Sequence, residues 1–487
     1  MAKALMVQGC TSGAGKSFLV TALCRAYARR GLRVAPFKAQ NMSNHARVVK
    51  GGEMGSAQYF QALAARVEPE VRMNPVLVKP EADTKSQVLL LGRPDLELSR
   101  LPWIERKERL WPVVREALHS LLEDFDLLIL EGAGSPAEIN LKPDIVNMRV
   151  AREAGARVLL VADIDRGGAF AHLYGTYALL EPEEQALVVG FVLNKFRGDA
   201  SLLSPGPQRM RELTGVSTLG VLPFWSGHGL PEEDGVFEGR VRGEGFTVAV
   251  LLYPYASNLD EFEPLKHLEG VRLLWAKSAR ELVGADLLVL PGSKHTRADL
   301  EWLRAQGLEE AILAHHRSGR PLLGICGGLQ MLGAVLHDPE GLEAPLSPRS
   351  GVGGGSVRGL GLFPYETVWV REKVQRRITL RFPSGNRSGD RLASEPRLEG
   401  YWSRLSGLEL EGYEIRHGRT GEGSLVYAQG NLLAVYFHGL FENEGVQERL
   451  FGGRAPGLED TFERLADFLE AHLEPGVLDK LISEGGS

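Results

Sequence analysis

Cysteine is scarce in this chain: Cys10, Cys24 and Cys326 are the three in 487 residues. Their wide spacing excludes a cysteine metal cluster, and the odd count excludes a self-contained disulfide framework. There is no apolar run near the ~20 residues that cross a bilayer. The start, MAKALMVQGC, lacks the basic and apolar regions of a signal peptide. Excess positive charge is missing too: a net charge of -6 offers no general attraction for nucleic acid or for an anionic membrane. What is there suits a globular protein, with 44% apolar and 24% charged residues. The length implies more than one domain. The expectation is a soluble, cytoplasmic protein with neither a nucleic-acid nor a membrane partner; its oligomeric state is not legible.

Short apolar runs alternate with helical patterns, as in parallel sheets with crossover helices. In the first half the expected strands are ALMVQG, RVAPFK, LLILEGAG, RVLLVAD and LVVGFVLNK. The helix after the first strand carries Phe18, Leu19, Ala22, Leu23 and Ala26 as one stripe and is closed by Gly31. Near 226 the pattern breaks in a Gly-rich, charged stretch, and a second series begins: TVAVLLYP, ADLLVLPGS, RPLLGICGG and LLAVYFHGLF. PRSGVGGGSVRGLGLF reads as a surface loop. The expected fold class is α/β in two domains joined near 235–246: a P-loop parallel-sheet domain over 1–235 and a second α/β domain over 246–487.

QGCTSGAGKS, Gln8 to Ser17, follows a strand and opens a helix, the context of a phosphate-binding loop. Gly13 and Gly15 let backbone amides wrap a phosphate, and the helix N-terminus adds its positive dipole. Lys16 would reach the outer phosphates and Ser17 would hold Mg²⁺. Five residues, not four, separate Gly9 from Gly15. Glu131 ends the apolar strand LLILE, where an acid is placed to hold Mg²⁺ directly or through water. Asn194 and Lys195 follow another strand, where P-loop proteins often read the base. Together these argue for ATP or GTP with Mg²⁺.

LLGICGGLQ has the nucleophile-elbow form G-x-C-x-G, with Gly324, Cys326 and Gly328. A strand turning sharply into a helix exposes the side chain between glycines. The Gly327 amide then faces a developing oxyanion, and the backbone around Gly292 and Ser293 offers a second donor. His438 ends a late strand, and an imidazole beside the thiol would make it reactive. A lone cysteine after an apolar run is more often a buried hydrophobe. The ordered set PGS, GICGG and FHG, each ending an apolar strand, shifts the balance. His267, His295, His315 and His316 read as structural or exposed.

These motifs resemble the class I glutamine amidotransferases. The resemblance implies that Cys326 attacks the glutamine amide, that His438 is the base, and that Gln330 contacts the glutamine. That family commonly ends in His-x-Glu, the Glu orienting the His. Here HGLFEN puts Leu440 at that position, so the orienting role is unassigned, with Glu442 a candidate. The first half resembles dethiobiotin synthetase and its relatives, which share the longer loop spacing and phosphorylate a carboxylate-like oxygen with ATP. Cys10 stands where those relatives commonly have Thr, so no reactive role follows for it.

FKAQNMSNHA, GSAQ, MNPVLVKP, EGAGSPAEINL, ADIDRGGAFA, LNKFRGD and GYEIRHG, in this order along nearly the whole chain, resemble the cobyric acid synthase family. By that resemblance Glu53 is a further Mg²⁺ ligand beside Ser17 and Glu131, and Asn194 reads adenine. A small corrinoid is met around Gln40, Asn41, Asp165 and Arg166. The implied reaction is glutamine- and ATP-dependent amidation of the b, d, e and g carboxylates of adenosylcobyrinic acid a,c-diamide. Two alternatives stand: a cobyrinic acid a,c-diamide synthase of the same plan, and a regulatory P-loop ATPase with an inactive amidotransferase-like domain.

Overall fold

The computed structural model describes residues 2–82, 85–231, 245–343, 355–384 and 397–483. Most of the expected joint at 235–246, the first part of the Gly-rich loop and the last four residues lie outside them. The first sheet contains β1 (Lys3–Gly9), β2 (Val34–Phe37), β3 (Leu127–Glu131), β4 (Arg157–Asp163), β5 (Val188–Phe196) and β6 (Thr218–Pro223). Its order is β6-β5-β4-β1-β3-β2, and every pair is parallel. β1, β3 and β4 are continuous apolar runs because both sheet faces are covered. Register sets the chemistry: Val7 lies opposite Glu131 and Gly9 opposite Val161. The acid at the end of β3 therefore adjoins the loop that follows β1. Helix α1 (Lys16–Arg29) begins there.

The second sheet contains β7 (Phe246–Leu251), β8 (Val271–Ala276), β9 (Leu287–Leu290), β10 (Leu322–Ile325), β11 (Val426–Gln429) and β12 (Leu432–Val435). Its order is β8-β7-β9-β10-β12-β11, parallel except for the β11–β12 edge pair. Helix α2 (Gly327–Leu332) follows β10. Both sheets deliver their chemistry-bearing loops at the C-terminal ends of parallel strands, the general location of sites in open α/β sheets.

Helices α3 (Leu458–His472) and α4 (Val477–Ile482) correct the expected extent of the second domain. They return to the first sheet. Phe462, Leu465, Ala466, Leu469 and Leu478 share a core with Leu19, Leu23 and Tyr27. Arg25 meets Glu459 at 2.9 Å and Glu463 at 3.2 Å, and the Tyr27 hydroxyl donates to Leu478 O at 2.8 Å. This also explains why α1 is buried well beyond its apolar stripe: α3 covers a second side, and fully buried Arg25 is the cation it brings with it. The tail is visibly amphipathic in sequence, but nothing local says which sheet its apolar face covers.

The sequence reading did not anticipate the small sheets. A four-stranded sheet joins Gln40–Met42, Val76–Ala82, Lys85–Leu90 and Arg93–Asp95, and Ala46–Val49 pairs with Gly52–Gly55. In the second half, Glu366–Arg381 and Glu409–Thr420 form a long antiparallel pair. These pieces make the seam between the halves. Glu53, fully buried, receives Lys79 and Gln375 and lies 2.5 Å from the Lys373 ammonium. Lys294 Nζ donates to Gln87 Oε1 at 2.9 Å.

The tail packing has a measurable consequence. Phe462→Ala should cost the first half about 3–5 kcal/mol. In denaturant unfolding of the full chain, the transition of the first sheet should move to lower denaturant, while a shift confined to the second sheet would contradict the packing.

Candidate active sites

The turn from β10 into α2 is sharp. Cys326 sits at φ 52°, ψ -106°, a region that costs a non-glycine residue about 1–3 kcal/mol. The flanking glycines permit it. A Cβ on Gly328 would overlap Leu290 O, one on Gly324 would lie 2.9 Å from Leu329 N, and one on Gly327 would lie 2.7 Å from Ser293 N. The Gly292–Ser293 segment and the Gly327 amide are thus neighbours, as two donors to one oxyanion must be. The Cys326 thiol reaches Ile415 O at 3.2 Å.

His438 follows β12 and lines the same small cavity as the Cys326 thiol. Its orienting partner is Glu261, from the 3-10 turn Leu259–His267. His438 Nδ1 lies 2.9 Å from Glu261 Oε1, and Glu261 Oε2 accepts the Gly439 amide at 3.0 Å. Burial opposes a charged imidazole here, but the Glu261 carboxylate and the Cys326 thiol prevail and raise His438 from 6.5 to about 10. A raised histidine contributes stability that is complete below pH 6.5 and is lost as pH climbs through that folded value. Leu440, at the usual acid position, is fully buried among apolar side chains. Glu442 is not the orienting acid, because it is held by Arg47, at 2.6 and 2.8 Å. Glu261 escaped the sequence reading because it lies 177 residues from His438 in an unremarkable acidic turn, DEFEPL.

Cys326, Gln330 and His438 line a cavity of about 70 Å³ that Asn44 and Lys79 of the first half also line. Gln330 is 3% exposed; its Oε1 accepts from Trp369 Nε1 at 3.0 Å and Thr296 Oγ1 at 3.2 Å. Lys294, Glu343, Trp369, Lys373 and His417 belong both to this cavity and to a larger one of about 1070 Å³ between the halves. That cleft carries both signs of charge, with Lys294, Arg371 and Lys373 beside Glu340 and Glu343 on its walls. His295 caps the helix Thr296–Ala305, accepting Ala298 N at 3.2 Å, and His315 bonds Pro321 O at 2.9 Å, both structural as expected.

At the other site, Gly13 and Gly15 have φ 71° and 95°, values that favour glycine. Lys16 Nζ donates to Gly134 O at 3.2 Å. Ser17 Oγ donates to Glu131 Oε1 at 3.0 Å, and the same carboxylate takes Lys38 at 2.8 Å and Gln61 at 2.5 Å. Burial opposes the charge on Glu131, but Lys38, Gln61 and Lys16 hold it below the usual range. Burial pushes the Cys10 thiol up to about 11, which suits an inert residue. Asn194 lies against the loop: its Nδ2 donates to Ala14 O at 2.9 Å, and a Cβ on Gly15 would overlap it. Lys195 reaches Gly13 O at 2.7 Å.

Two expectations are not met by the geometry. Glu53 does not join Ser17 and Glu131; its carboxylate is taken up at the seam by Lys79, Lys373 and Gln375. Among the described residues no cluster of three or more His, Cys, Asp or Glu is positioned to hold a metal ion. Nor do Gln40, Asn41, Asp165 and Arg166 form one surface. Asn41 is buried and donates to Gln58 Oε1 at 3.1 Å beyond β2. Asp165 pairs with Arg197 at 2.9 Å and Arg166 extends towards solvent beyond β4, and β1 and β3 lie between the two pairs.

Residues 5–228 match the family model of the CobQ/CobB/MinD/ParA nucleotide binding domain, and residues 247–446 match that of the CobB/CobQ-like glutamine amidotransferase domain. A phosphate loop on one sheet and a cysteine elbow on the other define an ATP-dependent, glutamine-hydrolysing carbon–nitrogen ligase. The chain is 56% identical over 500 residues to a cobyric acid synthase of Variovorax paradoxus, covering 99% of both chains. It is 55% identical to one of Polaromonas naphthalenivorans, covering 99% of this chain and 100% of the relative. A third, from Polaromonas sp., is 53% identical over 99% of each. The chain belongs to the cobyric acid synthase family. Among the described residues no helix is long and apolar enough to cross a membrane.

Glu261→Gln keeps a hydrogen-bond acceptor and removes the charge. Glutamine hydrolysis should fall on the order of 10²-fold or more. The alkaline limb of kcat against pH should move to lower pH, because burial then dominates the imidazole. An unmoved profile would count against Glu261 as the orienting acid.

Proposed function

We infer that the chain converts adenosylcobyrinic acid a,c-diamide to cobyric acid, amidating the b, d, e and g carboxylates with glutamine nitrogen and ATP. One observation carries the joint reading: the cavity holding Cys326 and His438 is lined also by Asn44 and Lys79 of the ATP-dependent half. Ammonia is therefore released against the half that consumes it.

In the glutaminase step Cys326 Sγ attacks the amide carbon. The oxyanion faces the amides of Gly327 and Gly292, and Gln330 helps to seat the substrate. His438 gives its proton to the leaving nitrogen, ammonia departs, and water cleaves the thioester to glutamate. Glu261 keeps the imidazole facing the thiol throughout.

In the ligase step a corrinoid carboxylate attacks the γ-phosphorus of ATP and ADP leaves, giving an acyl phosphate. Gly13, Gly15 and Lys16 cradle the phosphates while Asn194 meets the adenine and braces the loop from below. Ser17 Oγ and the Glu131 carboxylate, 3.0 Å apart, are hard oxygen donors that suit Mg²⁺ with retained waters; when bound it would neutralise phosphate charge. Lys38 stands on the same carboxylate, balancing it before nucleotide arrives. Ammonia then attacks the acyl carbon, phosphate leaves, and the new amide loses a proton. The intact triad with Glu261 leaves the inactive-amidotransferase reading without its motive, and the curated relatives carry the cobyric rather than the a,c-diamide name.

Cys326→Ser should abolish glutamine-driven amidation while free ammonia still supports it. Lys16→Ala should block both. Product masses after feeding the a,c-diamide corrinoid report each amidation as one step; glutamine-driven turnover by Cys326→Ser would overturn the nucleophile assignment.

A further inference from the structure

The turn that carries Glu261 is held in place by the other half of the molecule. Asn258, at φ 55°, accepts the Ala46 amide on Oδ1 at 3.2 Å, and the Leu259 amide donates to His45 Nδ1 at 3.2 Å. Arg47 Nε donates to Asp260 Oδ2 at 3.0 Å, with Nη2 on the same oxygen. The same guanidinium takes both oxygens of Glu442, four residues beyond His438, at 2.6 and 2.8 Å. Arg47 is 2% exposed and lies 5.0–5.4 Å from the rings of Phe60, Tyr413 and Tyr59. Tyr413 in turn stacks on the His438 ring, centroids 5.2 Å apart, and exchanges both backbone hydrogen bonds with His438. One cation from the first half thus touches the residues on either side of the triad: the neighbour of Glu261, the segment after His438, and the ring beneath the imidazole.

We propose that Arg47, assisted by His45, is a positioning residue for the glutaminase reaction, supplied by the ATP-dependent half. It clamps Asp260 and Glu442 so that Glu261 faces His438. The proposal rests on the reading of Cys326 and His438 as the glutaminase pair. Its consequence is that the triad is complete only when the two halves are docked, which ties ammonia production to the presence of its consumer. The electrostatics agree. Asp260, Glu261 and Glu442 are three carboxylates in one buried region, facing Arg47, His45, His438, the Cys326 thiol, Tyr59 and Tyr413. Arg47 is the guanidinium set among them, and burial already pushes Glu442 above its ordinary value.

The test is glutamine hydrolysis by full-length Arg47→Met and Arg47→Lys, across pH, beside ammonia-driven amidation of the corrinoid. For Arg47→Met, kcat should fall on the order of 10²-fold, the cost of a displacement near 1 Å in a reacting array. KM for glutamine should stay within about threefold, since no interaction with glutamine itself is lost. Removing a buried cation favours protonated forms, so both limbs of the kcat profile should move to higher pH, opposite to Glu261→Gln. Arg47→Lys should restore the profile and part of the rate. Ammonia-driven amidation should remain near wild type in both variants. An unchanged glutaminase rate and profile would overturn the proposal. So would equal loss of glutamine- and ammonia-driven turnover with an unmoved profile, which marks a merely structural residue. Failure of the underlying reading is separate: it shows as glutamine turnover by Cys326→Ser.

Discussion

Charge without water is what fixes the two halves against each other. Arg47 is held between Asp260 and Glu442, and Glu53 between Lys79 and Lys373. Taking such groups out of water costs several kcal/mol per ion, so these pairs are weak evidence of stability compared with apolar packing. Their effect is on geometry. A shifted docking leaves at least one buried charge without its partner, a penalty of about 3–5 kcal/mol, whereas an apolar seam could slide at little cost. The chemistry needs that single geometry. Ammonia set free in water takes a proton and loses the lone pair that attacks an acyl phosphate, so a source that faces its acceptor shortens the path through water.

Each half meets the same demand locally. Cys326 is lifted out of the ordinary backbone regions at the end of β10, and close approaches at Gly324, Gly327 and Gly328 hold it there. Loop 9–15 is braced from below by Asn194 and Lys195. In both places strain or tight packing is carried by the C-terminal end of a central parallel strand, the least movable part of the fold. The thiol and the phosphate loop are therefore positioned by sheets, and only their relation to one another depends on the seam.

What was legible in the sequence follows from range. β1, β2, β3, β4, β5, β7, β9, β10 and β12 announced themselves as apolar runs, and the loop glycines and the Cys326 elbow as local patterns whose residues do their work within a few positions. Interactions across long stretches of chain had no local sign. Glu53 reads as a metal ligand from its motif, yet Lys373, on a strand 320 residues later, decides its place. The α3 face reads as amphipathic, but whether it covers the first or second sheet is settled by Arg25 and Phe462 together. The small sheets were missed because QNM and GEMG are too short and polar for period-two alternation to show.

The position of Glu261, 2.9 Å from His438, shows what such long-range dependence achieves. An acid two residues beyond the histidine rides on the same backbone and orients the imidazole whenever its own sheet has folded. Here Leu440 occupies that place and packs into the core, and the acid comes instead from the turn after Asn258. That turn is short, has a left-handed residue at its entry and carries two adjacent carboxylates, Asp260 and Glu261. Left to itself, like-charge repulsion would favour exposing them to water. Arg47 neutralises the first and so lets the second stay buried against His438. Moving the acid from a neighbouring position to a remote turn thus changes what the imidazole depends on, from folding of one sheet to docking of two.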